Sequence, residues 1–146
     1  MHAREFIRSA MVTALDNHPD FTGRVVNGPV FPAYDLALPG VAVFTRNEEI
    51  DDEKGAKQAL QHRRLEATVQ IYAKAETGID NTLDRLAEIV EQVIFVGLPD
   101  LVTLRCIDLV TTEMETNAEA ENMVGLCTMV FAVRYLTQKG IPNLIL

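Results

Sequence analysis

The residues able to do chemistry in this chain are few and scattered. Ser9 is the only serine, and it lacks the G-x-S-x-G frame that exposes a hydrolase nucleophile. His2, His18 and His62 show no zinc-ligand spacing and are expected at the surface. Cys106 and Cys127 lie far apart without a C-x-x-C pairing, and both fall in strand patterns that ask for a small apolar residue, so they read as reduced core thiols. A nucleophilic Cys–His couple would need the fold to bring one of them to His62. Neither glycine pattern for phosphate binding, G-x-x-x-x-G-K-[ST] or G-x-G-x-x-G, occurs. The expectation is therefore a chain with no catalytic residues and no cofactor.

The carboxylates are more suggestive. Glu48, Glu49, Asp51, Asp52 and Glu53 form one cluster, followed by Lys54, and Glu113, Glu115, Glu119 and Glu121 form another. Oxygen ligands of this kind suit Mg²⁺ or Ca²⁺. Neither run has the spacing of an EF-hand loop, so no metal is expected. The alternatives are a solvated acidic surface or a surface that meets basic groups on another subunit. His62-Arg63-Arg64 offers such groups, or else is an ordinary charged start to a strand.

The bulk composition suits one globular domain. The chain has 146 residues, 48% hydrophobic and 23% charged, enough to bury a core without staples. A net charge of −8 argues against binding nucleic acid by phosphate neutralisation. The longest apolar run, residues 122–133, falls short of a membrane span, and the charged start MHAREFIR is unlike a secretory signal. A soluble protein made in cytoplasm, with no membrane partner, is expected.

The elements that must position these residues follow from periodicity. Ala3, Phe6, Ile7, Ala10, Met11, Ala14 and Leu15 predict an amphipathic helix over 2–17. Arg24 to Val26 reads as a short strand, Val30-Phe31-Pro32 as extended, and Val41 to Thr45 as a strand after the Pro39-Gly40 turn. A charged, flexible loop is expected at about 46–63. Leu65, Ala67, Val69, Ile71 and Ala73 then alternate with polar residues in the clearest strand of the chain. Asp80 is the expected N-cap of a second helix with the stripe Leu83, Leu86, Ala87, Val90, Val93 and Ile94, ended by Gly97 and Pro99. Strands at about 102–115 and 123–137 follow, joined by the acidic segment 115–121, and the second, apolar on both sides, reads as an inner strand. The apolar tail from Ile141 is expected to dock on its own domain or to reach a neighbour. Two amphipathic helices need a shared apolar surface. The predicted fold is α+β, a mixed or mainly antiparallel sheet of about four or five strands with both helices on one face.

One ordered series of residues carries a resemblance. It comprises the first helix, Gly23-Arg24-Val25, Val30-Phe31-Pro32, Leu38 through Thr45 leading into Glu48-Glu49, the alternating strand through Val69, and the helix from Leu83 to Glu91. Thr112 to Glu115, Glu119-Ala120-Glu121, Val124-Gly125 and Met129 through Tyr135 complete it. In order and spacing this resembles the tail terminator proteins of long, non-contractile-tailed phages, the lambda-type minor tail protein U family, over nearly the whole length. The resemblance implies a subunit that closes with its own kind into a homo-hexameric ring, and a free monomer that assembles only on the tail is compatible with it. The ring would sit at the head-proximal end of the tail tube, stop polymerisation of the major tail protein and present the surface that a head-completion or connector protein joins. DNA would be a passing cargo in its channel, where an acidic wall lets it slide. Cys106, Cys127 and the tail from Ile141 have no counterpart in that pattern. Other neck proteins, and a regulatory domain with a preformed apolar pocket for a small molecule, are the alternatives.

Overall fold

A computed structural model of the chain describes residues 1–29, 38–52, 60–119 and 122–146, the side chains of 52, 118, 119 and 122 excepted. The first helix, α1, is Ala3–Asp16 and buries Ala3, Ile7, Ala10, Met11, Ala14 and Leu15. Phe6, counted in its stripe, is instead 46% exposed. His2 is the N-cap, half-buried rather than at the surface, and its Nδ1 accepts the Arg4 N–H at 3.1 Å. The second helix, α2, is Ile79–Gln92, with Ile79, Leu83, Leu86, Ala87 and Val90 buried. Its cap is Gly78, at φ 66°, and not Asp80. Asp80 lies within the first turn, where a carboxylate still favours the positive end of the helix dipole. Gly97 and Pro99 do not end the helical run either. A π-helical turn, Val93–Gly97, passes into a last short helix, α3, Leu98–Leu101. Pro99 sits in the first turn of α3, directly after the wider π turn, which accommodates a residue that has no N–H to give the preceding turn.

The strands are β1 Val25–Asn27, β2 Gly40–Asp52, β3 Leu60–Ala75, β4 Cys106–Glu119, β5 Asn122–Gln138 and β6 Ile141–Ile145. They form one sheet in the order β1-β2-β3-β5-β4, with β6 also on β5. Only β1 and β2 run parallel. The expected α+β class, the mixed sheet and the inner position of β5 are thus found. A sixth strand comes from the apolar tail, which turns at Gly140, φ 83°, and pairs with β5 at Gln138 and Thr137.

The charged loop expected at 46–63 is the main correction. Strand β2 continues to Asp52 and β3 already begins at Leu60, paired from Glu48 opposite Leu65 to Asp52 opposite Gln61. The ladder is made by backbone groups, so a hairpin can run on with charged side chains wherever it needs no apolar face. Residues 53–59, including Glu53 and Lys54, lie outside the described residues, as does the extended segment at Val30-Phe31-Pro32. The acidic joint at 115–121 is likewise mostly strand, because β4 runs to Glu119, and Glu121 lies outside the described residues.

Odd-numbered residues 65–73 of β3 and 127–135 of β5, with Val41 and Val43 of β2, join α1 and α2 in one apolar cluster. Both helices therefore cover a single face. Arg8 ties α1 to the sheet, donating from Nε to Asn27 Oδ1 at 2.7 Å and from Nη1 to Thr45 Oγ1 at 3.0 Å. Between Thr45 and Glu48 the β2–β3 register slips by a bulge. Residues three apart on a regular strand face opposite sides. Here the extra residue turns both towards the helices, as their pairing with Ala67 and Leu65 shows.

Candidate interaction surfaces

The bulge decides what Glu48 is for. Its carboxylate lies under the N-terminus of α1, its side chain 3% exposed, and Oε1 meets Arg63 Nη1 at 2.6 Å. Arg63, almost as buried, also donates from Nε to Thr137 Oγ1 at 2.7 Å and from Nη2 to Gln61 Oε1 at 2.9 Å. The Tyr135 hydroxyl donates to Glu48 Oε2. Burial, and then this hydrogen bond to a carboxylate, push the Tyr135 phenol well above its ordinary value. His2 caps α1 nearby, and burial, then the Arg4 charge, hold its imidazole below the usual histidine range. Among the described residues no buried side-chain nitrogen or oxygen lacks a partner. Two of the residues proposed for an interface from sequence, Glu48 and Arg63, are thus committed to each other inside the subunit.

Their sequence neighbours face the other way. Across the sheet face away from the helices, Glu49, Arg64, Arg134 and Cys106 stand in one cross-strand row on β2, β3, β5 and β4. Arg64 reaches Glu66 at 3.6 Å. Arg64 and Arg134, directly opposite each other, line a groove of about 920 Å³ with Arg105, Asp51 and His62. Among the described residues the guanidinium groups of Arg105 and Arg134 have no ion-pair or hydrogen-bond partner. Sequence reading missed both. The signal for Arg134 was present, as the one charge interrupting the apolar run from Met129 to Leu136.

At the far end of the same face Glu113 and Glu115 are exposed on β4. Among the described residues β4 is hydrogen-bonded to a strand on its β5 side only. Val110 and Met114 are exposed along it, at 47% and 41%. Glu119 ends the strand, and Asp52 ends β2, with their side chains undescribed. Cys106 corrects the reading of two core thiols, because it lies on the face away from the helices and is exposed. Its thiol donates to Asp108 at 3.4 Å, which raises its pKa. Cys127 is buried on the helix side, and burial pushes its thiol up to about 11. His62 is exposed on β3 in a row with Asp51 and Leu136, next to the Arg64–Arg134–Cys106 row on the same face but two strands from Cys106, and on the opposite face from Cys127.

On the helical side an open groove of about 680 Å³ runs along Ala14, Asn17, His18, Val93, Val96 and Leu101, with Val96 72% exposed. Among the described residues no three His, Cys, Asp or Glu are placed to hold a metal ion. No described helix is long and apolar enough to cross a membrane.

No family model and no curated protein matches the sequence. Among solved structures, a chain from the virion of a native gene transfer agent particle aligns with 87% of this chain and 93% of its own, at a TM-score of 0.38 and 11% identity. A likeness that distant identifies neither fold family nor function.

Proposed function

We propose that this chain is a structural subunit of a phage virion and acts as a tail terminator. It closes into a sixfold ring at the head-proximal end of the tail tube, halts polymerisation of the major tail protein, and offers the surface to which a head-completion or connector protein binds. It performs no reaction. DNA crosses its channel as cargo, kept from sticking by the chain's net charge of −8.

The observation that carries this reading is the ordered residue series resembling that family, which extends over α1, β1, β2, β3, α2, β4 and β5. The geometry is compatible with it in one further respect. A ring of identical subunits needs a heterologous contact, hence two different surfaces on each subunit. The arginine groove and the acidic β4 edge are two such surfaces. The edge carries Asp108, Glu113 and Glu115, charges that keep an unpaired strand from aggregating before its partner arrives.

Negative-stain imaging of tubes grown from purified major tail protein tests the proposal. Added protein is expected to appear at one end of each tube and to stop growth there. Tubes that elongate unchanged and uncapped overturn it, and binding to portal or connector rings in their place moves the chain to a neighbouring part of the neck.

A further inference from the structure

We propose that Arg64, Arg105 and Arg134 receive the carboxylates of Glu113 and Glu115 from a second copy of this chain. The inference rests on the ring reading above and names the contact that builds the ring.

Arg64 and Arg134 are placed directly opposite each other on β3 and β5. Like charges so paired repel unless something neutralises them. Glu66 pairs with Arg64, Glu49 stands opposite it in the strand register, and Asp108 accepts the Cys106 thiol, but the guanidinium groups of Arg105 and Arg134 have no ion-pair or hydrogen-bond partner among the described residues. Asp51 lines the groove as well as Glu49, yet Arg64, Arg105 and Arg134 still outnumber these two carboxylates, in a chain of net −8, and a guanidinium is suited to a carboxylate bound through two parallel N–H donors.

The subunit cannot supply those carboxylates to itself. Glu115 is opposite Leu126 and Glu113 opposite Thr128, on the strand whose Arg134 lies in the groove. Residues 126 and 134 are eight apart, about 26 Å at roughly 3.3 Å per residue. All these even-numbered positions of β5 share one face, so donor and acceptor lie at opposite ends of the same surface. One copy's acidic end can enter the next copy's groove, and the contact repeats head to tail until it closes. Duplex DNA is the weaker candidate, because three arginines amid this much negative charge neutralise few phosphates.

Cys106 stands beside Arg134 in the groove row and supplies a native probe. With Glu115→Cys, mild oxidation of protein incubated with tail tubes is expected to join the thiol introduced at position 115 to Cys106 of the next copy, giving a ladder of linked subunits. Cys106→Ser removes the ladder. Adding Arg134→Glu reduces it about tenfold or more, by placing like charges at the contact. For a readout independent of the cysteines, subunits carrying Arg64→Glu and Arg134→Glu are mixed with subunits carrying Glu113→Arg and Glu115→Arg. Each alone fails to associate and the mixture assembles. Capped tubes without a ladder, and without rescue on mixing, overturn this contact and leave the terminator reading standing. A ladder without capping keeps the contact and overturns the terminator role. Neither result overturns both. Retention of duplex DNA at physiological salt by the parent protein, lost with Arg134→Glu, reassigns the groove to nucleic acid and overturns the proposal.

Discussion

Glu48 and Arg63 differ from Glu49 and Arg64 by one step along each strand, yet the two pairs do different work. The first faces the helices, buried beneath α1 and locked to Tyr135, Thr137 and Gln61. The second faces away, with Arg64 loosely held by Glu66 and set opposite Arg134. Residue type says nothing of this difference. It is made by the period of two in a strand and by one bulge between Thr45 and Glu48, since a slip of one residue would exchange the faces. The same four charges are therefore part structure and part surface.

The sharpest way to break that comparison is to truncate both arginines. Arg63→Ala leaves the Glu48 carboxylate buried without its charge partner, which is expected to cost about 3–5 kcal/mol. Arg64→Ala removes a half-exposed ion pair and is expected to cost less than about 1 kcal/mol. Urea denaturation followed by circular dichroism measures both, and equal losses would erase the distinction between the faces. Tyr135→Phe comes next. It deletes one hydrogen bond to the same carboxylate without changing the packing, for an expected loss of about 1.5–3 kcal/mol in the same assay.

How much of this was legible depended on whether a signal was apolar. The stripes of α1 and α2 and the alternation of β3 and β5 are readable because burial imposes a period, and they give the α+β layers correctly. The outer half of the β2–β3 hairpin looks like loop in the sequence because Arg46 to Asp52 carry no apolar alternation, although backbone pairing asks for none. The bulge has no sequence mark at all, and with it went the distinction between Glu48 and Glu49. The charged residues named from sequence were therefore a mixture: Glu49, Asp51, His62, Arg64, Glu113 and Glu115 lie at the surface or half-buried, while Glu48 and Arg63 are internal. Arg105 and Arg134 were missed because each is a single charge, and only the register brings them to Arg64.

Gly125 sharpens the contrast at the other end of the sheet. It is opposite Ala73 on the helix-covered face, and a Cβ there would come within 2.7 Å of Leu83 Cδ1 and 2.8 Å of Ile79 Cγ1. Both contacts belong to fully packed residues of α2, so Gly125→Ala forces the helix outward and is expected to cost about 1–3 kcal/mol. Thermal unfolding of the variant measures it. No loss would mean that α2 rides less closely on β5 than described.

The smallest effects separate the two thiols. Cys106, exposed on the far face, is expected to react with a disulfide reagent at pH 8 in the native protein, whereas Cys127 waits for unfolding. Because the Asp108 carboxylate holds Cys106 protonated, Asp108→Asn should hasten that reaction, and a rate left unchanged would show that the hydrogen bond does not form in solution. Cys127 makes a separate, alkaline prediction. Its folded pKa is raised from 9.0 to about 11, so the folded state holds the proton more tightly than the unfolded chain does. The stability this contributes is complete below pH 9 and falls as pH rises through the interval to about 11. Tyr135, raised from 10.0, adds a loss of the same sign above pH 10. Cys127→Ala should remove the part of the decline that begins near pH 9 and leave the later part, which Tyr135→Phe removes. A decline that responds to neither change would place its origin among the exposed charges, on the face that the helices leave uncovered.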